Sequence, residues 1–367
     1  MIYFIKIKST YIVLIFLKED FMKNMFLSLK IAAVFIGTVV GAGLASGQEI
    51  IQFFTIYGPM GIPGIFICGV LYAVLGIVTI DLSYKYKAAS YRDLIYISCG
   101  KYLGFIIDSL TTFFLFGGTC IILAGSGSIF SEYFGVFNFI GILVMIIATM
   151  ITVFYSTEGL IFINSIIVPS MISIVVILFI FTFSKTTMID IKGIILNSQI
   201  FKNNWITSTL LYTSFNMLTA TGVLAPMTRD IKDSKAMSFG IILGSIGLLV
   251  LTLMINLILL KNSPDIFKYS IPMLHVAKGA ASIIGTILSI TIWCEMFSTE
   301  VSDVYSLSKK MNNNFNINYK LSIIIILAIA CPFTGIGFAK LIKILYPPFG
   351  VISLIYIIFL LRLYFKG

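Results

Sequence analysis

Charge is what this sequence lacks. Of its 367 residues only 11% are Asp, Glu, Lys or Arg, against 59% hydrophobic, and the mean hydropathy is +1.06. A soluble domain carries about 25% charged residues. There is too little charge here to cover a water-facing surface, so a soluble globular enzyme is excluded. Disorder is excluded on the same grounds. Histidine is limited to His275, and the five cysteines (Cys68, Cys99, Cys120, Cys294, Cys331) stand far apart with no CxxC. That spacing argues against a metal site or a disulfide framework. There is no HExxH, G-x-S-x-G or Walker sequence, and nothing looks catalytic. Basic residues outnumber acidic ones, 25 to 15, for a net charge of +10. They form no patch interleaved with aromatics, so they read as loop residues that hold a membrane topology and not as a nucleic-acid surface.

What the chain has instead is long apolar stretches. Segments of spanning length read as 28–57, 62–84, 104–130, 138–155, 160–184, 205–227, 237–260, 280–307, 320–337 and 346–365, too long for barrel strands of roughly 10 residues. Residues 1–21 are broken by Lys6, Lys8 and Lys18 and read as an upstream misread or a dispensable N-terminal extension, with a short interfacial helix as the alternative. The distribution of Lys and Arg between alternate loops favours both termini on the cytoplasmic side, which makes 185–204 an extracellular loop. Segment starts five helices apart recur at an offset of about 180 residues. The chain therefore divides into two five-helix units, 22–184 and 205–367. Five is odd, so the second unit enters the membrane from the opposite side, an inverted-topology repeat of the kind found in secondary transporters.

The most informative stretch is IAAVFIGTVVGAGLASGQEIIQFF, residues 31–54. Gly41, Gly43 and Gly47, with Ala45 and Ser46, lie at the centre of the first span. Each glycine costs a helix interior roughly 1 kcal/mol relative to alanine. The Gly37–Gly41 and Gly43–Gly47 spacings could serve close helix packing. Alternatively the helix opens here and its peptide groups face a ligand or ion. Ser46-Gly47-Gln48-Glu49 favours the second reading: it is a capping-box pattern, with Ser46 as N-cap, that predicts a second half-helix starting in mid-span. The N-terminus of that half-helix would suit an anionic group such as a carboxylate. A charged Glu49 costs roughly 2.5–3.5 kcal/mol at this depth, so it reads as a cap for the half-helix, as a ligand for a cation or proton, or as both.

The matching helix, 205–227, carries Phe215, Asn216, Thr219, Thr221 and Gly222 at its centre, a weaker version of the same signal. In 280–307, Thr291, Glu295, Ser298, Thr299 and Ser302 share one helical face. They read either as a coupling-ion site of hard oxygen ligands or as interhelical hydrogen bonding with a neutral Glu295. Asp108, Glu300 and Asp303 lie nearer helix ends and read as solvated. The glycines of 117–127 read as packing or as a substrate wall. The fifth span has Asn164 and Ser165 but no lysine whose ammonium could stand in for a sodium ion.

At GTVVGAGLASGQEIIQFF, and most specifically at Ala45–Glu49, the sequence resembles the YkvI-like bacterial membrane proteins. These look like relatives of the amino acid–polyamine–organocation transporters, with the five-plus-five repeat of the bacterial leucine transporter. The resemblance covers 22–367. It implies an all-α integral membrane protein of ten transmembrane helices, with the first and sixth broken. It implies substrate contacts at Gly41, Gly43, Ala45, Ser46, Gly47, Gln48, Phe215, Asn216, Thr219, Thr221 and Gly222. It also implies an ion site between the first and eighth helices, to which we assign Glu49, Glu295, Ser298 and Thr299. The expected function is a cation-coupled secondary transporter of a small amino-acid-like or organic solute in the bacterial inner membrane. Sodium or a proton is the coupling ion, with no other cofactor. The alternative is a receptor-like or channel-like protein of the same fold.

Overall fold

The computed structural model describes residues 25–184, 203–269, 272–280, 282–336 and 338–366. The expected extension 1–21 and nearly all of the 185–204 loop lie outside the described residues. Those described are helical throughout, without strands. The first crossing is built from three pieces: α1 (Met25–Val39), α2 (Ala42–Ser46) and α3 (Gln48–Phe53). A 3-10 turn (Thr55–Met60) leads into α4 (Gly61–Tyr86). Then come α5 (Tyr91–Phe134), α6 (Asn138–Phe154) and α7 (Ser156–Phe183). The second half holds α8 (Trp205–Asp230), α9 (Ser234–Lys261), the short α10 (Pro272–Ala280), α11 (Ser282–Phe315), α12 (Tyr319–Phe333) and α13 (Phe338–Lys366).

Six of the described helices are long and apolar enough to cross a membrane, and Met25–Val39 and Asn138–Phe154 are shorter apolar helices. Large side chains such as Phe66, Val70, Phe113, Phe162 and Ile180 are exposed on the outside. That inverts the soluble pattern and suits a lipid environment. The two long helices that fall short on apolarity, α8 and α11, are the most polar. Their Ser, Thr, Asn, Glu and Asp side chains are turned inward: Asn216, Thr221, Glu295, Ser298, Glu300 and Asp303 are all buried. α11 is central, packing on α5, α6, α7, α8, α10 and α12.

Three boundaries differ from expectation. α5 starts at Tyr91 and bends at Gly100, where φ is +75°, so a short helix precedes the span. Residues 338–345, between the ninth and tenth expected segments, are continuous with the last one in α13. Most importantly, the helix expected to be the broken sixth crossing is not broken: α8 runs from Trp205 to Asp230 with no interruption in its helical backbone. The reason is local. Thr213, Asn216, Thr219 and Thr221 each donate to the carbonyl four residues earlier, at 2.8–3.2 Å. They spend their polarity on their own helix, and the single Gly222 does not open it.

The first crossing does break, at two places. Val40 and Gly41 leave the helix, Gly41 being extended at φ −109°, ψ −171°. Gly47 then turns the chain in the left-handed region at φ +83°, between α2 and α3. A Cβ there would be strained by the backbone and would lie 2.9 Å from Met273 Cγ. Gly47→Ala is therefore expected to cost roughly 1–2 kcal/mol. It should show as a lower thermal unfolding midpoint. Gly335→Ala, where no heavy atom lies within 4 Å of the added carbon, should leave the midpoint unchanged.

Candidate functional site

The break exposes peptide carbonyls, and α11 answers them. Val40 carries the last carbonyl before the extended Gly41, and it accepts a hydrogen bond from Thr299 Oγ1 at 2.9 Å. One turn earlier, the Gly37 carbonyl accepts from Ser298 Oγ at 3.2 Å. Ser298 Oγ also lies 2.5 Å from Asn164 Oδ1 of α7. Thr299 Oγ1 is 3.2 Å from the Glu295 carbonyl. Thr38 and Ser302 hydroxyls meet at 3.3 Å alongside. Oxygens from α1 and its broken end, from α7 and from α11 thus converge on one spot. Gly37 permits the approach, since a Cβ there would fall 1.7 Å from Asn164 Oδ1 and 2.6 Å from Ser298 Oγ. Neutral carbonyl and hydroxyl oxygens are hard ligands, the donor type that takes a small cation in unwound membrane helices.

Beside this cluster is a cavity of about 60 Å³. The first crossing contributes Thr38, Val39, Gly41, Gly43 and Glu49, and α8 contributes Phe215, Asn216 and Thr219. α11 adds Thr299 and Asp303, and α5 adds Phe114, Gly118, Ile121 and Ile122. Thr299 and Gly41 join the two sites: Gly41 lines the cavity and packs on Thr299, the side chain that bonds the Val40 carbonyl. Phe114 and Phe215 meet edge-on at 5.8 Å and both pack on Phe349.

The remaining candidates fall elsewhere. Ala45 and Ser46 are buried away from the cavity, Gly47 packs on Met273 and Leu259, and Gln48 is exposed. Thr221 bonds the Met217 carbonyl at 2.8 Å, and Gly222 lies against Ser306 of α11. Glu295 is fully buried, with neither carboxylate oxygen hydrogen-bonded among the described residues. His275 is exposed and stacks on Tyr269 at 3.6 Å between centroids.

The capping box does not form as the spacing predicts. Ser46 Oγ donates to the Gly43 carbonyl at 3.1 Å and accepts from Gln48 N–H at 3.3 Å, and Gly47 rather than Ser46 is the N-cap of α3. Glu49 sits in the first turn of α3, but its carboxylate folds back over Gly43, whose Cβ would fall 2.1 Å from Oε1. The chain thereby places its own carboxyl group at the half-helix where a solute carboxylate was expected.

Sequence reasoning missed several contributors. Asp303 and Glu300, expected to be solvated, are 4% and 0% exposed. Asp108 is buried too, pairing with Arg92 at 3.3 Å and with Lys310, which also bonds Thr112. The cause is the length of α11, which runs on to Phe315 and keeps these groups inside the bundle. A second polar cluster lies on the same helix, where Lys309 approaches Asp230 at 3.6 Å and Asp230 bonds Thr157.

No protein-family model matches the sequence. The chain is 30% identical over 330 residues to the uncharacterized membrane protein YkvI of Bacillus subtilis (strain 168), covering 89% of this chain and 93% of that one. It is 26% identical to YyaD of the same organism, covering 90% and 94%. Among solved structures it resembles a Na+-coupled sialic acid symporter (TM-score 0.66, 13% identity, 88% of this chain and 75% of that chain). It also resembles MhsT in complex with L-phenylalanine (0.64, 14%, 89% and 87%). A third likeness is to the nucleobase-cation-symport-1 transporter Mhp1 with bromovinylhydantoin bound (0.56, 12%, 89% and 74%). These are transporters of the leucine-transporter fold, and the chain shares that fold.

Proposed function

We propose that this chain, which belongs to the YkvI family of bacterial membrane proteins, is a cation-coupled carrier of a small organic solute that works by alternating access. The observation that carries the reading is the opened backbone at Val40–Gly41, met by Thr299 and Ser298 of α11 and adjoining a cavity. A cation among the carbonyls of Gly37 and Val40 and the hydroxyls of Ser298 and Thr299 would tie the first crossing to the eighth. Solute in the adjoining cavity would touch Gly41, Gly43, Asn216 and Thr219. Filling both sites would then favour one packing of these helices over another, which is how a ligand shifts a conformational equilibrium. That the fold neighbours include a Na+-coupled symporter and a cation-symport transporter supports the same reading.

In this reading the chain crosses the membrane ten times. α8 and α11 count as crossings because their polar faces are buried in the bundle. The units 22–184 and 205–367 are inverted repeats, the 185–204 loop is extracellular and both termini are cytoplasmic, in the bacterial inner membrane. Sodium suits the neutral oxygen cluster. A proton is the second reading, favoured by Glu295 and Glu300, whose buried carboxylate oxygens lack hydrogen-bond partners among the described residues.

The test is uptake by proteoliposomes under imposed gradients. Labelled amines and amino acids should accumulate against their own gradient when sodium is high outside, and this should collapse when the sodium gradient is dissipated. Accumulation driven by a pH step alone, and lost in Glu295→Gln or Glu300→Gln, would move the coupling to the proton. Binding without accumulation would replace the carrier with the receptor-like or channel-like alternative.

A further inference from the structure

We infer that the solute is an organic amine, its ammonium held against the carboxylate of Asp303. This rests on the proposed placement of the solute in this cavity. Among the described lining residues there are two carboxylates and no lysine, arginine or histidine. Asp303 is 4% exposed, lines the cavity, and has an Oδ1 without a hydrogen-bond partner among the described residues. A buried carboxylate in that condition requires a cation or a proton.

The surrounding glycines show that the acidic pair is built in. A Cβ at Gly118 of α5 would fall 2.5 Å from Asp303 Oδ2, just as one at Gly43 would fall 2.1 Å from Glu49 Oε1. Each carboxylate occupies space that a missing side chain leaves on a different helix. The nearby lysines of α11 are engaged elsewhere, Lys310 with Asp108 and Lys309 with Asp230. The rest of the wall is apolar or neutral: Phe114, Ile121, Ile122 and Phe215 could cover a hydrocarbon body, and Asn216 and Thr219 add polar groups. A solute carboxylate would meet the like charge of Asp303 here. An ammonium in the cavity would instead compensate it.

The experiment is thermal unfolding of the full-length protein in lipid nanodiscs, at neutral pH in sodium buffer. It is titrated with two matched sets: butylamine, butyrate and butanol, and benzylamine, benzoate and benzyl alcohol. At least one amine should raise the unfolding midpoint while its acid and alcohol do not. Asp303→Asn should weaken the amine response about 30-fold or more, in a protein that still responds to sodium. Gly118→Ala, which displaces the same carboxylate without removing it, should weaken it as well. The inference is overturned if an acid or alcohol stabilises as well as its amine, if no member of either set stabilises, or if Asp303→Asn keeps its amine affinity. Amine binding without driven accumulation would sink the carrier reading and spare this one. Sodium-driven uptake of butyrate or benzoate would do the reverse.

Discussion

Thr299→Ala should raise the sodium concentration needed for half-maximal uptake by about 10–100-fold, and Ser298→Ala together with it should abolish sodium dependence. The size follows from the chemistry: a polar contact to a charged group is worth about 1.5–3 kcal/mol, and each hydroxyl is one oxygen of a small set. The geometry gives each variant a separate meaning. Thr299 bridges the Val40 carbonyl and the cavity wall, so its loss should affect both sodium and solute. Ser298 is bonded to Gly37 and Asn164 and does not line the cavity, so its loss should affect sodium first. Thr291→Ala is the control. It lies on the same polar face but donates only to Ile287 of its own helix, at 2.9 Å, and should change little. Sodium titrations of uptake and of thermal unfolding check this. Unchanged sodium dependence in the double variant would remove the cation from this cluster.

The second large effect is on stability. Lys310→Met should destabilise the protein by about 3 kcal/mol, the low end of the range for breaking a buried ion pair. Lys310 and Asp108 have side chains 6% and 7% exposed. Removing the ammonium leaves Asp108 with Arg92, which is 27% exposed and 3.3 Å away, so some compensation survives. Adding Asp108→Asn to Lys310→Met should recover part of the loss, because the penalty comes from the stranded charge. Thermal unfolding of the single and double variants measures it. Equal midpoints for wild type and Lys310→Met would show that Arg92 alone suffices.

How far the sequence carries depends on whether a residue's role is decided by its own helix. The opening at Gly41–Gly47 was legible, because three glycines within one turn or two are a local property that no neighbour has to confirm. The stripe Ser298, Thr299 and Ser302 was legible for the same reason, since helical spacing alone puts these residues on one face. The sixth helix misled: its threonines and Asn216 resembled a break signal, but side chains that bond their own preceding carbonyls satisfy themselves within a continuous helix. Asp303 and Gly118 could not be paired from the chain, because the space under a carboxylate on one helix is a gap on another. Asn164 looked like a generic polar residue in the fifth span, and only the approach of Gly37 and Ser298 gives its amide oxygen a place in the cluster.

Lys309 and Lys310 are neighbours in sequence, yet neighbours on a helix point about 100° apart. One grips Asp230 at the end of α8 and the other grips Asp108 on α5. Together they form a two-pronged clasp that ties α11 to both neighbours. In the carrier reading proposed above, a turn of α11 about its axis would strain both prongs at once, and release on that side would be concerted rather than piecemeal.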